Sequence, residues 1–158
     1  MIPEHFPDSA RAQCCWALAN SYSSAAAQLL QNPSGQVYVP TLFLLGHALE
    51  LHFKAFLASQ GMTDKQLRSR DIGHNLIACL RECRDRGLSR YVSLSRPQVR
   101  QIARVNLYYQ EKHLEYFAAT AKRFGSIDKF QLIVEQISKA IFNPITEQDF
   151  RALANVET

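Results

Sequence analysis

The sequence predicts an all-α protein, an antiparallel bundle of about five helices that forms one domain over residues 1–158. Apolar residues recur at spacings of three and four along most of the chain, which is the period of an α-helix. Gly or Pro closes most of these segments, so the predicted connections are short. No segment alternates apolar and polar residues as a half-buried strand does. A chain of 158 residues is long enough to enclose one hydrophobic core.

The most apolar segment, residues 41–57, predicts a buried central helix. Its sequence, TLFLLGHALELHFKAFL, is apolar on almost every side, which is typical of a helix in the protein interior. It nevertheless carries His47, Glu50 and Lys54 within about 60° of each other on one helical face. Buried charges must be paired, so we expect a structural tie from Glu50 or His47 to Lys54 or to His74. The alternative interpretation makes the same four residues the floor of a ligand or nucleotide pocket.

The other helices are bounded by residues that begin or end helices. We expect a polar loop over residues 62–72, and Leu107 and Leu114 on the core side of the fourth helix. Gly46, in the middle of the central helix, indicates that another backbone approaches there. The predicted helices are a first one capped by Asp8 or Ser9, the central one ending at Gly61, a third over 73–86 ending at Gly87, a fourth beginning at Ser95 and Pro97, a fifth over 130–142 ending at Asn143 and Pro144, and a last turn from Thr146 to Asp149 and beyond.

Several classes of protein are disfavoured by the composition. The N-terminal residues lack a basic region followed by an apolar run, so we expect no signal peptide. Charged residues interrupt the segment 41–57, which argues against a membrane span. None of the four cysteines forms a CxxC pair. Cys79 and Cys83 alone do not match a zinc site, which usually has four ligands with closely spaced pairs. We therefore expect a cytoplasmic protein with reduced thiols, no cofactor and no metal.

The positive charge of the chain is concentrated in its middle. The formal net charge is +4, yet residues 65–104 contain ten Lys and Arg against three acidic residues. Such a basic segment favours a phosphate-rich or acidic partner, and the alternative is a solvated arginine face. The candidate phosphate-binding residues are Arg81, Arg84, Arg96 and Arg100.

Two segments, 45–57 and 73–80, together resemble the HEPN superfamily of prokaryotic helical bundles. The motifs that match are an ExxxKA-type helix, here Glu50 to Ala55, and a downstream GHxL, here Gly73 to Leu76. The resemblance implies a bundle that often dimerises and that occurs in RNA-cutting toxins, antiphage systems and partners of nucleotidyltransferases. It therefore implies a homodimer with an RNA or nucleotide ligand, and a cognate antitoxin or nucleotidyltransferase as partner.

The ribonucleases of that superfamily use an Arg followed, after four to six residues, by a His, without a metal. This chain departs from that pattern, since Arg104 and His113 lie nine positions apart, about 180° around a helix. The formal match from Arg68 to His74 lies in a loop, and a match of this kind is expected about once by chance in such a sequence. The alternative is a relaxed site, because Asn106 and His113 share one face of the predicted fourth helix.

Three functional hypotheses follow from the sequence. The first is a non-catalytic or weakly catalytic RNA- or phosphate-binding module in prokaryotic stress or defence. The second is a metal-independent, toxin-like endoribonuclease in which His113 acts as base, Asn106 assists and Arg104 steadies the phosphate. The third is a structural partner subunit of a nucleotidyltransferase-type system, whose basic face only keeps it soluble.

Overall fold

The computed structural model describes residues 8–31, 38–115 and 124–154. Within these ranges no strand occurs, so the prediction of an all-α fold is confirmed. A short 3-10 turn, Leu88–Arg90, lies between the fourth and fifth helices. The six helices are α1 (Asp8–Leu30), α2 (Tyr38–Ser59), α3 (Asp64–Leu67), α4 (Leu76–Asp85), α5 (Arg96–Tyr109) and α6 (Ile127–Ala154).

Helix α2 forms the centre of the protein, and each of the other five helices contacts it. Leu45, Leu49 and Phe53 are fully buried along its length. Burying one such side chain contributes about 1.5–3 kcal/mol, so α2 supplies a large share of the hydrophobic stabilisation. By length and composition α2 is the one described helix that meets the criteria for a membrane span, but 72% of the relevant segment is buried inside the protein. It therefore has the burial of a core helix.

Helix α1 is held between α2 and α6. At its start, the Arg11 guanidinium donates to the Asp64 carboxylate at 3.1 Å and to the Met62 carbonyl at 3.3 Å, just beyond the end of α2. Further along, the Trp16 indole donates to the Ser138 carbonyl of α6 at 3.1 Å. Exposed ion pairs contribute little, so the stability of this contact comes mainly from small buried residues of α1. These are Ala12, Ala19 and Ala26.

Capping residues fix where the middle helices begin. The Asn75 side chain accepts from two amides at the start of α4, and Ser95 forms a capping box with Gln98 at the start of α5. The expectation of a loop over 62–72 is wrong in part, because Thr63 and Gln66 form another capping box that begins α3. Gly87 follows α4 with φ of 92°, a left-handed conformation that favours glycine.

The expectation that the fifth helix ends at Asn143 and Pro144 is wrong. Helix α6 continues through Pro144 to Ala154, so the separate turn beginning at Thr146 does not exist. A proline inside a helix costs about 3 kcal/mol. Buried Ile141 and Ile145 lie on either side of Pro144 and anchor both halves of α6 in the core, which offsets that cost.

Helix α5 is shorter than the sequence indicates. It ends at Tyr109. We expect the helix to fade around Phe117 to Phe124, and residues 117–123 of that segment lie outside the described ranges. The expectation that Leu107 lines the core is wrong, since this side chain is 61% exposed. Ile102 and Val105 define the buried face instead, and Leu107 lies away from it. Leu114 is buried as expected, but it lies in the turn after α5.

Candidate functional site

A buried polar cluster centred on Glu50 connects α2 to α5 and to the turn before α4. Glu50 is 1% exposed. One of its carboxylate oxygens accepts from the Lys54 ammonium. The other accepts from His74 Nδ1 at 3.0 Å and from the Tyr109 hydroxyl. The expected tie from Glu50 to Lys54 and His74 is therefore present, and the carboxylate has donors from three parts of the chain.

The fourth predicted member, His47, enters the cluster through Tyr109. His47 Nδ1 lies 3.1 Å from the Tyr109 hydroxyl oxygen and 4.0 Å from Glu50 Oε2. Because Tyr109 has a single hydroxyl proton, which it donates to Glu50, the proton between His47 and Tyr109 must come from the imidazole. His47 therefore donates from Nδ1, and its Nε2 is the acceptor nitrogen of the neutral ring. The structure thus brings together His47, Glu50, Lys54 and His74.

The electrostatics of the cluster keep Glu50 ionised. Burial alone raises the pKa of Glu50, but the Lys54 charge and hydrogen bonds from Lys54, Tyr109 and His74 outweigh burial and lower it. Burial and the neighbouring Glu50 carboxylate raise the pKa of Tyr109. Burial also lowers the pKa of His47, against the opposing effect of Glu50. An ionised carboxylate with three donors is a strong structural tie and a weak general base.

Tyr109 is the member of this cluster that the sequence analysis missed. Its ring lies on Gly46 of α2, and a Cβ atom at that position would lie 2.8 Å from Tyr109 Cδ2. The glycine indeed permits a close approach, but the group that approaches is an aromatic ring rather than a backbone. Gly46, one position before His47, was the available signal, although it could not identify the partner.

Asn106 has a structural position at the junction of α4 and α5. It is 6% exposed, and its carbonyl oxygen accepts from the Leu76 amide at 2.7 Å. Its amide nitrogen donates to the Asn75 carbonyl oxygen at 3.1 Å and to Gln110 at 3.0 Å. Both ends of the Asn106 side chain are therefore engaged in holding the start of α4 against α5.

The three candidate catalytic residues occupy different environments. Arg104 is exposed, whereas Asn106 is buried, and two positions on a helix are separated by about 200°. His113 is exposed in the turn after α5, where its amide donates to the Tyr108 carbonyl at 2.9 Å. The expectation that Asn106 and His113 share a helical face is wrong, because α5 ends before His113.

Three arginines surround one shallow depression beside the start of α5. The depression has a volume of about 310 Å³ and is lined by Arg84 of α4, Arg96 and Arg100 of α5, and the apolar Leu94 and Val99. None of these five residues is acidic. Arg81, the fourth predicted phosphate-binding residue, is exposed on α4 but does not line the depression.

The charges of this depression are not neutralised within the described part of the chain. Among the residues described, Arg86 pairs with Glu82 at 2.7 Å, whereas Arg84, Arg96 and Arg100 have no ion pair. The three guanidinium groups are therefore available to an external anion. We name the surface formed by Arg84, Leu94, Arg96, Val99 and Arg100 the arginine depression.

The two buried cysteines, Cys79 and Cys83, have thiol pKa values that are determined by their burial in the fold. Burial raises the pKa of the Cys79 thiol to about 12, and burial also raises the pKa of Cys83. Both therefore remain protonated thiols at neutral pH. Within the described residues, no three His, Cys, Asp or Glu side chains form a group that could hold a metal ion.

Comparison of the chain with known protein families, with characterised proteins and with solved structures finds no match. The resemblance to the HEPN superfamily therefore rests on the motif residues around Glu50 and His74 alone. The most distinctive arrangements of side chains in the described residues are the Glu50 cluster and the arginine depression.

Proposed function

We propose that the protein is a non-catalytic, HEPN-like module that binds the phosphate backbone of single-stranded RNA at the arginine depression. The observation that carries the proposal is the convergence of three arginines from two helices on one depression, where none of them has an ion pair with a described residue and none of the described lining residues is acidic. Guanidinium groups bind phosphate oxygens with paired hydrogen bonds, and such contacts supply most of the non-specific affinity for nucleic acids.

Repulsion within α5 supports a binding role for these arginines. Arg96, Arg100 and Arg104 follow each other at intervals of four, so they stand above one another on the helix. Each like-charged pair at this spacing destabilises a helix by about 0.2–0.5 kcal/mol. A bound phosphate removes this repulsion, because it places negative charge between the guanidinium groups. The arrangement is unfavourable for the free protein and favourable for a complex.

The length of the arginine row favours a polymer over a single phosphate. From Arg96 to Arg104 the row extends about 12 Å along α5 at 1.5 Å per residue. This is several times the size of one phosphate group, so the row contacts successive phosphates of an extended strand. Leu94 and Val99 line the same depression as the cations and offer apolar contact to ribose.

The wider proposal is a HEPN-like, antiparallel bundle that acts as a homodimer in the cytoplasm, in stress or defence, with a cognate antitoxin or nucleotidyltransferase as partner. Two observations support the likeness. The Glu50 carboxylate joins the two motif segments by its bond to His74. The start of α1 contacts the end of α2, and further along α1 Tyr22 lies against His47, nearer the middle of α2, with ring centroids 4.6 Å apart. These two contacts support an antiparallel arrangement of α1 and α2.

The salt dependence of RNA binding tests the proposal. We expect a short single-stranded RNA to bind with a log–log slope against salt of about −3, since each phosphate contact on a single strand contributes about −0.7 and the contacts come from four arginines, Arg84 and the row from Arg96 to Arg104. Changing Arg84, Arg96 and Arg100 together to Gln removes most of the affinity. The matched control changes Arg68, Arg70 and Arg90 together to Gln, which removes the same number of exposed arginines outside the depression and leaves most of the affinity. Salt-independent binding, or equal loss in both variants, contradicts the proposal.

The same labelled RNA, incubated with the protein in EDTA, separates binding from cleavage. We expect the strand to remain intact, because Asn106 is engaged at the start of α4 and lies on another face of α5 from Arg104. Cleavage that disappears in His113→Ala overturns the non-catalytic proposal and supports a metal-independent ribonuclease.

A further inference from the structure

A second depression lies on the other side of α5, between that helix and α6. Its volume is about 340 Å³, near the lower end for small-molecule sites. Helix α5 contributes Pro97 and Arg104 to it, and α6 contributes Lys129 and Leu132. Since α5 also supplies Arg96 and Arg100 to the arginine depression, the two depressions flank the same row of arginines.

We propose that this second depression receives one nucleobase of the strand whose phosphates lie on the arginine row. The inference rests on the proposed function, and it adds a binding site for a base to the proposed binding site for the phosphates. Leu132 is 63% exposed and provides an apolar surface against which a base can pack. The Arg104 guanidinium provides a flat cation that stacks on bases, and Lys129 neutralises the phosphate next to that base.

The wall of the second depression is fixed in place by hydrogen bonds. The Gln101 side chain donates to the Phe124 carbonyl at 2.8 Å and to the Ser126 carbonyl at 3.2 Å. Gly125, with φ of 79°, lies against the end of this amide, where a Cβ atom would collide with it. The segment before α6 is thereby held to α5, so the cavity exists before a ligand arrives and little ordering is needed on binding.

The chemistry of the lining predicts binding without strong base preference. The Gln98 side chain already accepts from the Ser95 amide at 2.8 Å and donates to Gln136 at 2.7 Å. The Gln101 amide nitrogen is likewise engaged. Few side-chain donors remain to read the edges of a base, so recognition occurs mainly through stacking and apolar contact, which every base allows.

The test compares a short single-stranded RNA with an abasic ribose-phosphate strand of the same length and charge. We expect the wild-type protein to bind the RNA about tenfold more tightly, which corresponds to about 1.4 kcal/mol, because a base that packs on Leu132 and stacks on Arg104 makes contacts that the abasic strand lacks. Leu132→Ser removes the apolar surface and reduces this preference, while Arg104 remains and affinity for the abasic strand is unchanged. Leu107→Ser is the matched control, since Leu107 is 61% exposed and does not line the second depression.

Each outcome separates this inference from the proposed function. Equal binding of the two strands by wild-type protein overturns the base site and leaves the phosphate site standing. A preference that is undiminished in Leu132→Ser, or that is reduced equally in Leu107→Ser, also overturns it. Failure of both strands to bind at low salt overturns the proposed function itself. Circular dichroism spectra of the two serine variants, which change exposed positions, verify that they are folded.

Discussion

The Glu50 cluster and the arginine depression use charge in opposite ways. In the cluster, one buried carboxylate faces the Lys54 ammonium and two further donors, so the charge is balanced inside the protein. In the depression, three arginines face outward and no acidic residue lines the surface. One region satisfies its polar groups internally, whereas the other leaves them to be satisfied by something outside the chain.

This difference indicates which charges hold the fold and which serve a partner. A buried ion that loses its counter-charge is costly, because the remaining charge has no water around it. An exposed arginine that is removed costs little, because water already solvates it. Substitution in the cluster should therefore change the free energy of unfolding, and substitution in the depression should change affinity for an anionic partner.

The largest expected effect is that of Glu50→Gln. It leaves the Lys54 ammonium, whose side chain is only 15% exposed, without a counter-charge. We expect the free energy of unfolding, measured with urea, to fall by about 3–5 kcal/mol. Arg100→Gln also removes one charge, but from an exposed side chain that repels both Arg96 and Arg104, so the free energy of unfolding should stay at the wild-type value or rise by up to about 1 kcal/mol. Similar losses in the two variants would remove the distinction between the two regions.

The second largest expected effect is a loss of stability at low pH. It comes from His52, which belongs to neither the Glu50 cluster nor the arginine depression. His52 is fully buried, and neither of its ring nitrogens has a hydrogen-bond partner among the described residues. Burial lowers the pKa of His52 from 6.5 to about 4. The unfolded chain therefore takes up the proton first, so stability is complete above pH 6.5 and falls as the pH decreases toward 4. The expected loss is about 3 kcal/mol.

Urea unfolding of His52→Leu over the same pH range provides the comparison. This variant should lack most of the decline, while the lowered pKa of His47 leaves a smaller slope in the same direction. The contribution of Glu50, whose pKa is lowered from 4.5, is retained down to about pH 4.5 and is lost below that. A decline in His52→Leu as steep as that of wild type would contradict the assignment to His52.

Tyr109→Phe has a smaller expected effect, because the ring remains against Gly46 and only the hydroxyl is lost. Glu50 then loses one donor and His47 loses its acceptor. We expect a decrease of about 1–3 kcal/mol in the free energy of unfolding. The matched control is Tyr91→Phe, since Tyr91 is 40% exposed and should tolerate loss of its hydroxyl. Equal effects of the two changes would show that the Tyr109 hydroxyl bonds contribute little.

The smallest expected effect is an increase in stability on removing a repulsive charge. Arg96→Gln eliminates the like-charged pair with Arg100 and should raise the free energy of unfolding by about 0.2–0.5 kcal/mol at low salt. The difference should disappear in molar salt, where charges are screened within about 3 Å. A decrease at low salt would instead assign Arg96 a stabilising contact within the protein.

The sequence was most informative where an arrangement is local. His47, Glu50 and Lys54 lie on one helix, so their spacing alone places them on one face. The arginine row on α5 follows from the same argument. The capping box of α5 could also be read directly from Ser95 and Gln98.

The sequence was least informative where distant segments meet. Tyr109 is 59 positions from Glu50, and no periodicity within α5 indicates that its hydroxyl meets that carboxylate. The bond from the Leu76 amide to Asn106, 30 positions away, likewise depends on how α4 and α5 pack. At Pro144 the rule that a proline ends a helix does not hold, because buried isoleucines on both sides keep α6 continuous.

The most direct test of this account measures two quantities on Arg100→Gln, namely its free energy of unfolding and the salt dependence of its affinity for single-stranded RNA. We expect the free energy of unfolding to stay at the wild-type value or rise by up to about 1 kcal/mol, while the slope of affinity against salt becomes about 0.7 less steep. An unchanged slope, or a large loss of stability, would show that Arg100 serves the fold and not a phosphate partner.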